Sequence, residues 1–202
     1  MKLYYSKGAC SLAVRINLHE MDIPCEFESV DLKTKKTETG ADFLSINPKG
    51  MVPTLVLDSK AILTENAVIN QYLSDTHQSK GFLPPFGDDK RYHALEWLNF
   101  ITTDIHKGFG PLFNSKVPDE LKDTVFKVGL KGKFGIIEHH LSQNKYMFGD
   151  QYTVSDGYLF VMGLWAKKFK IALTDLPALT KYFENLKKRP AIQKALQEEG
   201  LS

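Results

Sequence analysis

The 202-residue chain has only two cysteines, Cys10 and Cys25. Two cannot build a disulfide framework, and one bridge between them is not expected in a reducing cell, so packing alone must hold the core. Net charge is nearly absent as well. The 26 basic and 24 acidic residues leave +2 with the histidines neutral. No overall positive field draws the chain to nucleic acid or to an anionic membrane, and any anionic ligand has to be held by a local site. No apolar run approaches the roughly 18 residues of a membrane-spanning helix, and no segment is repeated or low in complexity. The apolar start at residues 3–5 is far too short for the apolar stretch of a signal peptide. These absences predict a cytoplasmic protein with neither a membrane nor a nucleic-acid partner. The histidines, including adjacent His139 and His140, show no metal-ligand spacing with the cysteines, so no metal is expected. A phosphate-cradling glycine loop and a nucleophile elbow are also missing, which leaves nucleotide and serine-hydrolase chemistry without support.

What is present is ample core material, 43% hydrophobic residues, in a length that suits one large domain or two small ones. Pattern and punctuation divide it in two. The expected boundaries are an α/β domain over 1–80, a linker over 81–87 within the Gly- and Pro-rich stretch GFLPPFGDD, and an all-α domain over 88–202. In the first part, residues 2–6 read as a strand, 11–21 as a helix and 25–30 as a second strand. The polar, lysine-rich stretch 31–47 reads as loop. Residues 54–57 and 61–63 form a hairpin, and the helix that follows pairs Val68 with Tyr72 and Ile69 with Leu73. In the second part a helix over 90–107 puts Ala94, Trp97, Leu98, Ile101, Ile105 and Phe109 on one side. Asn99, Thr103 and His106 fall together on the other. Pro118 starts a helix that carries Gly129, Gly132 and Gly135. It either packs closely on another backbone or breaks there. Thr153 and Asp156 have capping-box spacing, with Asp in place of Glu. Two helices, over 177–188 and 190–199, complete the chain.

Four features could carry chemistry. Cys10 lies where the first strand gives way to the first helix, a position whose free N–H groups favour a thiolate, with Ser11 beside it to donate to the sulfur or cap the helix. The alternative is a small buried hydrophobe. Val52 precedes Pro53 at a strand entry, so it is held extended, able to receive a peptide-like ligand or simply marking a sheet edge. Glu65 and Asn66 open a helix whose N-terminus suits a carboxylate, with Glu65 a partner for an ammonium group; plain capping explains them equally. The stripe of Asn99, Thr103 and His106 is by default solvated surface.

Taken in order, MKLYYSKGACSLA, NPKGMVPTL, LTENAVINQYL, EWLNFITTDIHKGFGPLF and FGDQYTVSDGYLF resemble the glutathione S-transferases over the full length, most closely the bacterial beta class. The resemblance implies a thioredoxin-like N-terminal domain, an all-helical C-terminal domain, a homodimer and a cis bond before Pro53. It implies glutathione as co-substrate and conjugation of its thiolate to small hydrophobic electrophiles. Disulfide or peroxide reduction through Cys10 is also plausible. Cys10 would face the glutathione sulfur, Val52 would pair with the cysteinyl unit, Glu65 and Asn66 would hold the γ-glutamyl end and Lys35 the glycyl carboxylate. Asn99, Thr103 and catalytic His106 would line the thiol side, and Asp104 would reach the partner subunit's ligand. Asn66 departs from the serine or glycine common at its position, which makes its backbone N–H the firmer contact. Phe109, Phe113 and Trp165 would wall an apolar pocket, or else serve the core or the dimer. The alternative function is a non-catalytic ligand-binding or protein-interaction module on the same fold.

Overall fold

The computed structural model describes residues 1–201. The chain forms two compact units, Gly81–Lys188 on its own and Met1–Lys80 joined by the chain from Arg189 onward.

The first unit is built on a five-stranded sheet in the order β3-β2-β1-β4-β5. Strand β1 (Lys2–Tyr5) runs parallel to β2 (Glu26–Asp31) and antiparallel to β4 (Thr54–Val56), so Leu3 sits opposite both Phe27 and Leu55. The hairpin partner β5 (Ile62–Thr64) forms one edge. Helix α1 (Ser11–Glu20) crosses from β1 to β2, and α3 (Asn66–Thr76) follows β5. Alternation of side chains along β1 buries both faces of the sheet: Leu3 is fully buried on one, and Tyr4 joins Val30, Phe43 and Val52 in a cluster on the other.

The stretch expected as loop, 31–47, contains structure. A two-residue strand β3 (Lys36–Thr37) pairs antiparallel with β2, and a one-turn helix α2 (Phe43–Ile46) starts where Asp42 accepts from the Leu44 N–H. Its purpose is visible in Phe43, which is fully buried against Tyr4. Elements this short leave no period to read.

Glu28 in β2 is buried, and its carboxylate accepts from Lys2 Nζ at 3.1 Å and Thr39 Oγ1 at 2.6 Å. Burial pushes its carboxyl upward, but the Thr39, Thr37 and Lys2 hydrogen bonds outweigh it and bring it down to about 2 from the ordinary 4.5. For an acid whose folded value is depressed, the stabilisation is complete above the unfolded value and disappears as pH falls through the folded one. The melting-temperature gap between wild type and Glu28→Gln is therefore expected to be constant above about pH 5 and to close between pH 4.5 and 2. A gap independent of pH would show that the carboxylate is not the stabilising species.

The last helix, α10 (Pro190–Glu198), packs with the first unit rather than with the helical segment before it. The reason lies in α1, whose residues from Ser11 to Leu18 are all buried. A helix buried on every side needs cover on more than one. Helix α3 supplies one partner and α10 the other, with Ile192, Ala195 and Leu196 buried and Arg189 gripping Glu20 through two hydrogen bonds of 2.5 and 2.6 Å.

In the second unit, α4 (Lys90–Phe100) does not continue unchanged to 107. From Ile101 to His106 the backbone is π-helical, which changes the angular step assumed for the polar stripe. Short helices α5 (Gly110–Phe113) and α6 (Asp119–Leu121) and a π-helical segment Lys122–Phe126 lead into α7 (Lys127–Leu141). Helix α7 is continuous through all three of its glycines. A Cβ on Gly129, Gly132 or Gly135 would meet nothing within 4 Å among the described residues, so the helix does not break there and no backbone among those residues packs closely on them. Helix α8 (Val154–Lys168) is the most buried, and α9 (Pro177–Lys187) completes the unit. Among the described residues no helix is long and apolar enough to cross a membrane.

Candidate active site

In the first unit, Cys10 is the N-cap of α1 and is buried. The turn before it is closed by the Ala9 N–H donating to Ser6 O at 3.0 Å. Ser11, fully buried, reinforces that turn: its hydroxyl accepts from the Ser6 N–H at 3.2 Å and donates to Ser6 O at 3.4 Å. Ser11 thus shapes the turn that delivers Cys10.

The Cys10 thiol donates to Val52 O at 3.4 Å. The Val52–Pro53 bond is cis, and this loop is braced by Asn47, whose amide donates to Met51 O and Thr54 Oγ1, both at 2.9 Å. Lys35 also reaches the loop, donating to Gly50 O at 2.8 Å.

Helix α3 brings the third group. Asn66 is buried, and its amide donates to Cys10 O at 2.6 Å. Asn70 donates to Asn66 Oδ1 at 2.7 Å and accepts from Asn17 at 2.8 Å. A chain of buried amides thus runs from mid-α1 through the start of α3 to the Cys10 carbonyl. The Asn66 side chain, expected at a ligand, belongs to that chain, while its main-chain N–H lies in the first turn of α3, where such groups have no partner within the helix. Glu65, just before it, takes φ +70°. Its exposed carboxylate accepts from Lys49 Nζ at 2.9 Å, and Lys49 also donates to Thr64 Oγ1 at 3.0 Å.

In the second unit, the His106 Nδ1 shares a hydrogen bond with the hydroxyl of fully buried Tyr158, and the ring packs edge-on against Trp165 at 5.1 Å. Thr103 donates to Asn99 O at 3.0 Å and to Asp104 Oδ2 at 2.9 Å, and Asp104 faces Lys133 at 3.5 Å. Asn99 and Thr103 are exposed. The aromatic group divides in two. Phe109 is fully buried and belongs to the core. Phe113 is about half exposed, with Trp165 and Phe169 edge-on at 4.8 and 4.7 Å and the Lys168 ammonium 5.0 Å from its ring.

Cys10, Val52 and Asn66 are therefore directly joined, with Lys35 and Glu65 on the adjoining loop and helix start. Sequence reasoning missed Asn17, Asn47, Lys49, Asn70 and Tyr158. The only local signal among them was the Asn66/Asn70 spacing, which places two amides on one helix face.

A family model described as glutathione S-transferase, N-terminal domain, matches residues 8–76, and one described as glutathione S-transferase, C-terminal domain, matches 103–199. Glutathione S-transferase GstA of Escherichia coli O157:H7 is 41% identical over 201 residues, all of both chains. A sphingomonad glutathione S-transferase solved in complex with glutathione superposes with a TM-score of 0.95 at 40% identity, and a beta-class enzyme of Sphingomonas chungbukensis with 0.95 at 39%; in each case both chains are covered completely.

Proposed function

The chain belongs to the bacterial beta class of the glutathione S-transferases and is a transferase rather than a non-catalytic module; from that premise we propose that its own glutathione site is the one assembled around Cys10. The observation that carries this is the convergence of a thiol, a strand-end main chain and a helix start, with Cys10 bonded to both Val52 and Asn66. The glutathione α-carboxylate takes the first-turn N–H groups of α3, at the positive end of the helix, and the ammonium group takes Glu65. Binding displaces Lys49 from Glu65, an exposed pair that costs little to open. The cysteinyl unit pairs with the Val52 main chain, and the glycyl carboxylate takes Lys35.

Two reactions follow. In conjugation the bound thiolate attacks an electrophilic carbon, a C–S bond forms and the leaving group departs with its electron pair. In reduction the Cys10 thiolate attacks a glutathione mixed disulfide, expels the other thiolate and holds glutathione as a disulfide. A second glutathione thiolate then releases oxidised glutathione and restores Cys10. The His106–Tyr158 pair serves turnover: His106→Ala is expected to lower kcat about tenfold or more with glutathione affinity unchanged. An unchanged rate would return His106 to a structural role.

Calorimetric titration tests the site itself. Wild type is expected to bind glutathione with micromolar to millimolar affinity, and Glu65→Ala to weaken binding about tenfold or more, the worth of a charge-assisted contact. No heat from wild type would overturn the assignment. Detoxification of electrophiles in the cytoplasm fits this chemistry. A homodimer fits the exposed apolar stripe of Val125, Val128 and Ile136 around the open glycine face of α7. Sedimentation of a monomer at micromolar concentration would refute it.

A further inference from the structure

The turn that delivers Cys10 is also held from the far end of the chain. Gly8 takes φ +67°, a conformation that favours glycine, and its N–H donates at 2.8 Å to Oε2 of Glu199, 191 positions later. The Glu199 side chain is fully buried, and its other oxygen lies 3.3 Å from Arg15 Nε. Arg15 is itself buried, its guanidinium 4.1 Å from the Tyr5 ring and 4.0 Å from the Phe27 ring, and it also reaches Glu198 at 3.1 Å. Burial pushes the Glu199 carboxyl upward, while the Gly8 N–H and Arg15 pull it back. Beyond it, the Leu201 side chain lies 3.7 Å from where a Gly8 Cβ would stand.

A buried ion pair is a poor way to add stability, since well-packed apolar residues of similar volume often serve as well or better. What apolar residues cannot do is accept the N–H of a left-handed turn. We propose that Glu199 is a positioning residue for Cys10: by holding the Gly8 N–H, with Arg15 fixing the carboxylate, it sets the turn from Ser6 to Cys10 and with it the direction of the sulfur. Thiol–disulfide exchange needs the attacking sulfur placed on the disulfide, and small misplacements carry large rate penalties. The role rests on the glutathione reading given above and adds to it a control at the opposite end of the chain.

Two measurements test it. Hydrogen exchange followed by NMR needs no activity. The Gly8 amide of wild type is expected to exchange as slowly as the amides inside α1, and at least about tenfold faster in Glu199→Ala. Kinetics supply the second. Glu199→Ala is expected to lower kcat for reduction of a glutathione mixed disulfide about tenfold at unchanged glutathione KM, with aryl-halide conjugation falling less than about twofold. Glu199→Gln, which keeps an oxygen for the Gly8 N–H, recovers the reduction. A freely exchanging Gly8 amide in wild type overturns the proposal, and so does an unaltered reduction rate or an equal loss in both reactions. If Glu199→Ala does not fold, the wild-type exchange and the Gln variant still decide. Wild type that neither binds glutathione nor reduces the mixed disulfide overturns the functional reading instead, a result on which the Gly8 exchange does not depend.

Discussion

Replacing Cys10 by alanine is expected to abolish glutathione-dependent disulfide reduction, a loss of at least about 10³-fold, while conjugation persists at a reduced rate. The asymmetry follows from what each reaction asks of the residue. In the proposed reduction the path runs through a covalent Cys10–glutathione disulfide, and no neighbouring group can replace the sulfur. Cys25 cannot stand in. It precedes β2, away from the turn, and burial pushes its thiol up to about 11, so at neutral pH it is protonated and a weak nucleophile. In the proposed conjugation the thiolate is that of glutathione itself, and the Val52 main chain, Glu65 and the α3 start assigned to hold it are all retained in the variant. Mass spectrometry gives an independent reading. Wild type mixed with oxidised glutathione is expected to gain one glutathionyl group at Cys10, and the alanine variant none. Full reductase activity in Cys10→Ala would return the residue to the role of a small buried hydrophobe.

The parts of this molecule that could be read from sequence are those whose signals are local. The strand–helix–strand opening, the hairpin and helix α3 announce themselves by period and punctuation, and Cys10, Val52 and Glu65 by their place at element boundaries. The misreadings have particular causes. β3 is two residues long. The step of 100° per residue assumed for the stripe of Asn99, Thr103 and His106 does not hold through the π-helical stretch Ile101–His106. The three glycines of α7 face open space, a circumstance no local pattern encodes. The side-chain bonds of Ser11 and Asn66 are not legible from Ser11's place beside Cys10 or Asn66's place at a helix start: the Ser11 hydroxyl closes the turn on Ser6 and the Asn66 amide holds the Cys10 carbonyl. Asn17, Tyr158 and Glu199 were out of reach for a different reason. Their partners lie 53, 52 and 191 positions away, so only tertiary packing brings them to their sites.

Asp156→Ala is expected to be the most destabilising single change in the helical unit. The carboxylate is fully buried near the start of α8 and accepts four hydrogen bonds: from the Thr153 N–H at 2.7 Å, the Thr153 hydroxyl at 3.0 Å, the Met147 N–H at 2.9 Å and the Tyr182 hydroxyl at 2.7 Å. The first completes the box that starts the helix. The Met147 and Tyr182 bonds tie α8 to the loop before it and to α9. Alanine removes every acceptor and leaves donors in a dry interior with nothing to bind, at about 1–3 kcal/mol for each group left unsatisfied. Lost capping adds about 1 kcal/mol. Partial relaxation keeps these from summing fully, so about 4 kcal/mol is expected, a large share of the roughly 5–15 kcal/mol that holds a folded protein together. For a chain of this size that is a fall of roughly 8–16 °C in melting temperature. Asp156→Asn separates shape from charge. It fits the same space and keeps one oxygen, but turns an N–H₂ toward donors that now face another donor, so it recovers only part of the loss. If both variants melt within about 2 °C of wild type, less than roughly 1 kcal/mol, the carboxylate is not what joins α8 to its neighbours.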